Sequence, residues 1–393
     1  MRRLPRIAMY CRFFRPDTSG AGIQALTLSR KLRGLGHDVM VVAENTNRAP
    51  KRESVDGIPV YRFAQLKRGA GYIDLLVYWL RITRTLFALR GQFDIIHAHG
   101  VNFEISFVAV IARLLKKPIL MKTTHAGDLS SADHSVSRRL QYLAIRHVDL
   151  FIAISRDLLA EYRTNPALPR NKVELVPNGV DTERFAPLDP QGKRDLREEL
   201  GLPESPVLVY HGVLEARKAL DWFILATEDL LAAGKFTLLV VGDPARDEAV
   251  TGYHRELLRR TQRLMASGSI VMQGFREDVY RYLQASDAYV LPSRGEGLSN
   301  ALLEAMAVGL VPIASRTSGT KDLIEHGRNG LTFGVDNRRE LREAVGYYLA
   351  VHGTDGADAL SVSARQTIER QYSLDSIART YSGIYRRLLA EGR

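Results

Sequence analysis

The segment Pro292-Ser-Arg-Gly-Glu-Gly-Leu-Ser-Asn-Ala-Leu-Leu-Glu-Ala-Met-Ala-Val-Gly309 holds the densest chemistry in the chain. A short apolar run, Ala288–Leu291, leads into it. A polar, glycine-rich turn follows, and then a helical pattern over Ala301–Val308. Ser299 or Asn300 suits the N-cap of that helix. The amides of Gly297, Leu298, Ser299 and Asn300 then point out of a helix N-terminus, where free donors and the helix dipole favour a diphosphate. Glu296 lies in the turn and Glu304 inside the helix, eight residues on. Carboxylates repel a diphosphate, so this pair suits hydrogen bonds from sugar and ribose hydroxyls. The alternative, Glu304 on a solvated helix face, fits poorly with Leu302, Leu303 and Met306 around it.

Three histidines end apolar runs in the first half. His125, in Thr123-Thr-His-Ala-Gly-Asp128, follows the run Pro118–Thr123. A histidine at the C-terminal end of a strand faces the ligand crevice of a doubly wound sheet. Satisfaction by local loop contacts is the alternative. His97 and His99 close the stretch after Phe93. Only one of them is expected to face the crevice if the strand continues, with His99 in that role and His97 structural. The chain has no Asp-x-Asp pair. That removes a common two-carboxylate holder for a metal, so cations and a helix dipole must neutralise any leaving diphosphate.

These residues need a frame that puts loops at strand ends. Val- and Ile-rich runs alternate with longer helical patterns. The runs in the first half are Arg6–Tyr10, Asp38–Ala43, Phe93–His97, Pro118–Thr123, Leu150–Ile154 and Val173–Val176. In the second half they are Val207–Tyr210, Phe236–Val241, Ile270–Gln273, Ala288–Leu291 and Val311–Ala314. Nearly all are continuous rather than alternating, as in strands covered on both faces. Helical segments such as Gly22–Leu35, Ser137–His147 and Leu220–Ala233 fall between them. This order predicts α/β architecture with parallel sheets and right-handed crossovers. A break near Phe185-Ala-Pro-Leu-Asp-Pro-Gln-Gly192 divides it into two domains of five or six strands each. Residues 353–359 read as a surface loop.

Composition is that of a globular protein, with 393 residues, 45% hydrophobic and 25% charged. A single cysteine, Cys11, excludes an internal disulfide and fits a reducing compartment. The longest apolar stretches, Leu75–Leu80 and Ile105–Leu115, are too short to span a membrane, and the N-terminus lacks a signal-peptide core. A cytoplasmic location is expected. Charge is uneven. Residues 1–185 hold 29 Lys and Arg against 16 Asp and Glu, a net of +13, and the rest hold 26 against 28, a net of −2. Such a field attracts phosphate-rich partners, or it is simply a solvated basic surface. Residues 71–90 mix aromatics, leucines and spaced arginines. They read as an amphipathic helix, either on an anionic membrane surface or packed on the sheet.

The Glu296–Glu304 segment resembles the E-x7-E motif of the family 4 retaining glycosyltransferases, which have the GT-B fold. Further signatures are similar and fall in the same order. They are Gly20-Ala-Gly22, Asp94-Ile-Ile-His-Ala-His99, Val176-Pro-Asn178-Gly-Val-Asp181, Arg217-Lys218, Val240-Val-Gly242, Gly274-Phe275 before Asp278, and Gly327-Arg-Asn-Gly330. The resemblance implies two Rossmann-like doubly wound domains facing a cleft. Residues 1–185 would bind the acceptor and residues 190–373 the nucleotide-sugar, with a C-terminal helix at about 374–393 returning to the first domain.

By that resemblance His125, Glu296 and Lys218 are catalytic. Glu296 would touch the donor sugar's ring hydroxyls, and Lys218, helped by Arg217, would hold the diphosphate and offset charge as it leaves. Gly22, Gly274, Gly297, Leu298, Ser299, Asn300 and Glu304 would bind the donor, with Glu304 on the ribose. His99 and Asn178 would lie toward the acceptor. Family members often carry Arg after the glycine matching Gly212; here Val213 stands there, and Arg217 is the available substitute. Retention by front-face attack is implied in the same way.

The expected reaction is sugar transfer from a UDP- or GDP-sugar to a glycan or lipid-linked acceptor, as in lipopolysaccharide, exopolysaccharide or capsule assembly. No metal, other cofactor or nucleic acid is expected, and an anionic membrane surface is a candidate partner. The alternatives are a nucleotide-sugar epimerase or another enzyme of the same fold, and a non-enzymatic binder of membrane or nucleic acid. The chain carries no recognisable nucleic-acid-binding module, which argues against the last.

Overall fold

The computed structural model describes residues 3–16, 19–45, 49–65, 72–100, 103–123, 136–165, 168, 172–244 and 248–391. His125 lies outside them. The chain forms two compact units, Met1–Gly179 with Leu374–Arg393, and Val180–Ser373.

In the first unit the strands are β1 (Ile7–Cys11), β2 (Val39–Asn45), β3 (Arg52–Val55), β4 (Ile58–Ala64), β5 (Ile95–His99), β6 (Ile119–Lys122), β7 (Leu150–Ala153) and β8 (Val173–Leu175). They form one sheet in the order β3-β4-β2-β1-β5-β6-β7-β8. Every neighbouring pair is parallel except β3 with β4. The order reverses between β1 and β5, so their C-terminal ends border the switch-point crevice of such a sheet. The helices are α1 (Gly20–Gly34), α2 (Tyr72–Leu89), α3 (Phe103–Leu114), α4 (Val136–Ile145) and α5 (Arg156–Thr164), with the C-terminal helix returning to this unit from the far end of the chain.

Eight strands replace the six expected here. The extra pair, β3 and β4, is a hairpin closed by Asp56 and Gly57, both at positive φ (52° and 77°). Asp-Gly is the favoured chemistry for such a turn. The strand Arg52-Glu-Ser-Val is too polar to show as an apolar run.

In the second unit the strands are β9 (Val207–His211), β10 (Thr237–Val241), β11 (Ile270–Gly274), β12 (Ala288–Leu291), β13 (Val311–Ser315) and β14 (Leu331–Phe333). All pair in parallel, in the order β11-β10-β9-β12-β13-β14. The helices are α6 (Pro190–Glu199), α7 (Leu220–Ala232), α8 (Glu248–Ala266), α9 (Val279–Gln284), α10 (Asn300–Ala307), α11 (Ser318–Leu323), α12 (Arg338–Val351) and α13 (Asp355–Gln371). The C-terminal helix Leu374–Glu391 is α14.

The break between the halves carries a helix start, and one loop reading is corrected. The Pro-rich break does not stay irregular: Asp189 Oδ1 accepts from Gly192 N at 2.7 Å, and Pro190 occupies the first turn of α6. Proline is at home there because that N–H has no partner in a helix anyway. Residues 353–359 are not a surface loop. Thr354 Oγ1 caps α13 by accepting from Gly356 N, so the helix begins at Asp355, and Ala357 and Leu360 are already buried.

The first sheet is buried on both faces, which explains its continuous apolar strands. On one face Ile7, Met9 and Cys11 of β1 meet α1 and α14, whose Ile377, Ala378, Tyr381, Ile384, Tyr385 and Leu388 recur at helical spacing. On the other, α2 buries Tyr78, Ile82, Leu86 and Leu89. Tyr78 Oη donates to buried Glu44 at the end of β2 and lies 3.3 Å from Tyr10 Oη of β1. Helix α2 therefore packs on the sheet, one of the two readings left open for residues 71–90.

Candidate functional site

The C-terminal ends of β9, β10 and β11 meet as bare backbone. Gly212 N donates to Val241 O (3.1 Å), and Gly242 N donates to Gly274 O (2.8 Å). A Cβ on Gly242 would lie 1.9 Å from Gly212 O, so this position excludes any other residue. The result is a floor of three glycines from adjacent strands, open to close approach by a flat or anionic ligand. Gly274 thus stands beside Gly242 and Gly212.

Two loops rise beside this floor. The first follows β9 and contains a 3-10 turn, Ala216–Lys218. Two buried tyrosines anchor its base, with Tyr210 Oη donating to Val213 O (2.8 Å) and Tyr289 Oη of β12 to His211 O (3.1 Å). The second follows β12 and runs through Arg294-Gly-Glu-Gly into α10. The two are tied together, since Arg294 N donates to Arg217 O (2.8 Å) and Arg294 Nη1 donates to Ala216 O (2.9 Å).

This clamp joins the predicted charged residues. Lys218 Nζ donates to Glu296 Oε1 at 2.6 Å, with the two side chains only 15% and 9% exposed. Arg217 sits further out. It donates to Gly295 O and to Glu215 (2.6 Å), and its Nη1 lies 3.3 Å from the same Glu296 oxygen. Arg217 therefore spends its donors on the loop itself, whereas Lys218 makes one side-chain bond among the described residues and keeps two N–H donors for a ligand. Val213 is partly exposed beside them and offers no charge.

At the start of α10, Ser299 Oγ accepts from Leu302 N, as the sequence predicts for an N-cap. Leu298 and Ser299 are buried, so the amides of this turn are held rigidly by the loop. One turn into the helix, Glu304 Oε2 lies 3.2 Å from His211 Nε2, the last residue of β9. Glu304 thus faces the strand ends rather than solvent, and one of its oxygens is engaged. His211 Nδ1 is buried with no hydrogen-bond partner among the described residues. Burial and the nearby carboxylates of Glu296 and Glu304 hold the Tyr289 hydroxyl well above its ordinary pKa, so it acts as a neutral donor.

His211 and Tyr289 escaped sequence reasoning. The one available signal was a histidine directly before a strand-terminal glycine, a position that apolar periodicity does not flag.

The predicted residues of the first unit are placed differently. Gly22 N donates to Ser19 Oγ (3.0 Å), which caps α1. A Cβ there would lie 2.5 Å from Phe13 O, so the chain's own carbonyl accounts for the glycine. Asn178 is buried at the end of the unit, next to Gly179, whose carbonyl accepts from Gln24 Nε2 (3.0 Å). His97 and His99 both lie on β5, with His99 as its last residue. Residues two apart on a strand share a face. Their rings stack at 4.4 Å, both are buried, and His97 Nδ1 bonds Tyr385 Oη of α14 at 2.8 Å. Burial, with Lys122 alongside, lowers the pKa of both rings well below the usual histidine value. Among the described residues, no three His, Cys, Asp or Glu side chains converge as a metal site would need.

Comparison with known proteins follows this architecture. Residues 18–184 match the family model described as Glycosyltransferase Family 4, and residues 205–350 match the model Glycosyl transferases group 1. The chain is 26% identical over 396 residues to the GDP-mannose:cellobiosyl-diphosphopolyprenol alpha-mannosyltransferase of Komagataeibacter xylinus, covering 98% of this chain and 93% of that one. It is 28% identical over 254 residues to the UDP-Gal:alpha-D-GlcNAc-diphosphoundecaprenol alpha-1,3-galactosyltransferase of Escherichia coli, covering 61% and 62%. Anabaena HepE, solved with UDP and glucose, superposes with a TM-score of 0.78 at 19% identity over 97% of this chain and 99% of that one. Two parallel-sheet α/β units with a glycine-floored, cation-lined site define the GT-B class of sugar-transferring enzymes. The chain belongs to the family 4 glycosyltransferases.

Proposed function

We propose that this protein is a retaining, metal-independent hexosyltransferase. It takes its sugar from a UDP- or GDP-sugar and passes it to a lipid-linked or polysaccharide acceptor presented at the cytoplasmic face of a membrane. The observation that carries the donor assignment is the Lys218–Glu296 pair standing beside the Gly212–Gly242–Gly274 floor and the α10 N-terminus. The amides of Gly297 to Asn300 and Lys218 Nζ would receive the diphosphate, Glu296 the sugar hydroxyls and Glu304 the ribose. As the sugar–phosphate bond breaks, negative charge grows on the departing diphosphate, and Lys218 and the helix dipole stabilise it there.

Glu296 is held by Lys218 and Glu304 by His211, so neither of these two carboxylates stands free to form a covalent sugar intermediate. This supports attack from the face the leaving group departs, with the diphosphate accepting the acceptor's proton. His125 is retained as a catalytic residue on sequence grounds alone. The two relatives act on diphosphopolyprenol-linked sugars, and a lipid-linked acceptor also agrees with the basic first unit.

The test is thermal stabilisation by UDP, GDP, ADP and their sugars, followed by NMR of the product anomer. A ligand that binds only the folded state raises Tm. Stabilisation by one nucleotide-sugar and a product that keeps the donor's α configuration are the expected results. No stabilisation by any nucleotide, or an inverted product, would overturn the reading.

A further inference from the structure

Helix α2 has two apolar faces, and the sheet uses only one. Tyr78, Ile82, Leu86 and Leu89 are buried on the sheet side. Ile73, Leu76, Val77 and Leu80, at i, i+3, i+4 and i+7, lie on the opposite side and are 79%, 56%, 37% and 59% exposed. Four aliphatic side chains in one helical stripe are a patch, not the scattered surface leucines of any protein. Arg84 continues the stripe one turn after Leu80, and Arg81 flanks it. Both are exposed and form no ion pair among the described residues. Asp74 is the one acidic residue of the helix.

The charge of the whole unit selects the occupant. Residues 1–179 and 374–393 hold 32 Lys and Arg against 16 Asp and Glu, a net of +16, and residues 180–373 hold 23 against 28, a net of −5. A second copy docking through this face would bring two strongly positive units together. An anionic bilayer offers apolar depth to the aliphatics and negative headgroups to the arginines.

We propose that the first half of α2 inserts Ile73, Leu76, Val77 and Leu80 into the headgroup–acyl boundary of an anionic membrane, with Arg81 and Arg84 on the headgroups. This helix is thus bound on both sides, by its own sheet and by lipid. The inference deepens the proposal of a membrane-presented acceptor, but its test uses neither donor nor acceptor.

The full chain is floated with vesicles of phosphatidylcholine containing about one-third phosphatidylglycerol, at low and high salt, beside two variants. Both variants change exposed side chains only, and their folding is checked by Tm and by nucleotide-induced stabilisation. The Ile73→Gln/Leu76→Gln/Leu80→Gln variant should partition at least about tenfold more weakly at every salt concentration, because transfer of aliphatic groups is not screened. The Arg81→Glu/Arg84→Glu variant should lose affinity mainly at low salt. Equal partitioning of the triple variant and the parent would overturn insertion, and so would complete release of the parent by salt. A parent that stays with the soluble fraction but is dimeric, and becomes monomeric in the triple variant, would assign the stripe to a second copy. Failure here with intact donor binding leaves the transferase reading standing.

Discussion

Lys218 Nζ and Glu296 Oε1 lie 2.6 Å apart although 78 residues separate them in sequence. The pair joins the loop after β9 to the loop after β12 and places a cation and a carboxylate together at the glycine floor. Both are largely sequestered, so their charges act with little solvent screening.

Lys218→Ala and Glu296→Ala should therefore lower turnover more than donor affinity. Loss of a group that acts mainly on developing charge costs about 100- to 1,000-fold in kcat. Single-turnover rates at saturating donor, set beside calorimetric Kd values, check this. A loss confined to Kd with kcat unchanged would make the pair a ground-state binding element only.

Glu304→Ala should weaken nucleotide-sugar binding about 10- to 100-fold, the value of roughly 1.5–3 kcal/mol for hydrogen bonds to a charged group. His211→Phe should weaken it less, since His211 acts through Glu304. In the double variant the His211 change should add almost nothing, because the two share one interaction. Additive losses in that cycle would show that His211 meets the ligand directly.

Transfer activity should survive EDTA, with Lys218 and the α10 N-terminus neutralising the diphosphate. Loss of transfer in EDTA that manganese restores would assign the charge compensation to a metal instead.

Lys122 should destabilise the protein at neutral pH. Its side chain ends β6 fully buried, with an aromatic neighbour in Tyr381 (Nζ 5.7 Å from the ring). Burial lowers its pKa to about 7. In the unfolded chain the group titrates at about 10.4. Below the folded pKa the native state carries the full cost of a buried charge. Between the two values that cost shrinks, and above the unfolded value it is gone. Lys122→Met should thus stabilise the fold at pH 6 to 7 by an amount on the order of 4 kcal/mol at most, and by nothing above about pH 10.5. Urea unfolding at pH 6, 8 and 10 reads this directly. A destabilised Lys122→Met protein at pH 7 would mean that an anion satisfies the charge.

Much of this molecule is local and could be read along the chain. Continuous apolar runs located β1, β2 and β5 to β13, because a strand covered on both faces needs apolar residues on both. The start of α10, with Ser299 as its cap, and the Glu296–Glu304 spacing were equally legible, since capping and helical position depend on neighbours a few residues away. The polar hairpin β3–β4 and the short β14 left too weak a periodic signal.

What no local pattern contains is which strand ends meet. The order β10-β9-β12 sets β12 beside β9, and that adjacency alone brings Glu296 to Lys218 and His211 to Glu304. The stacking of His97 on His99 beneath Tyr385, and the division of α2 into a buried and an exposed apolar face, are decided in the same way. Residue types along the chain determine what each element can bury or bond. Only the packed sheet determines what is there to receive it, because those partners lie tens to hundreds of residues away.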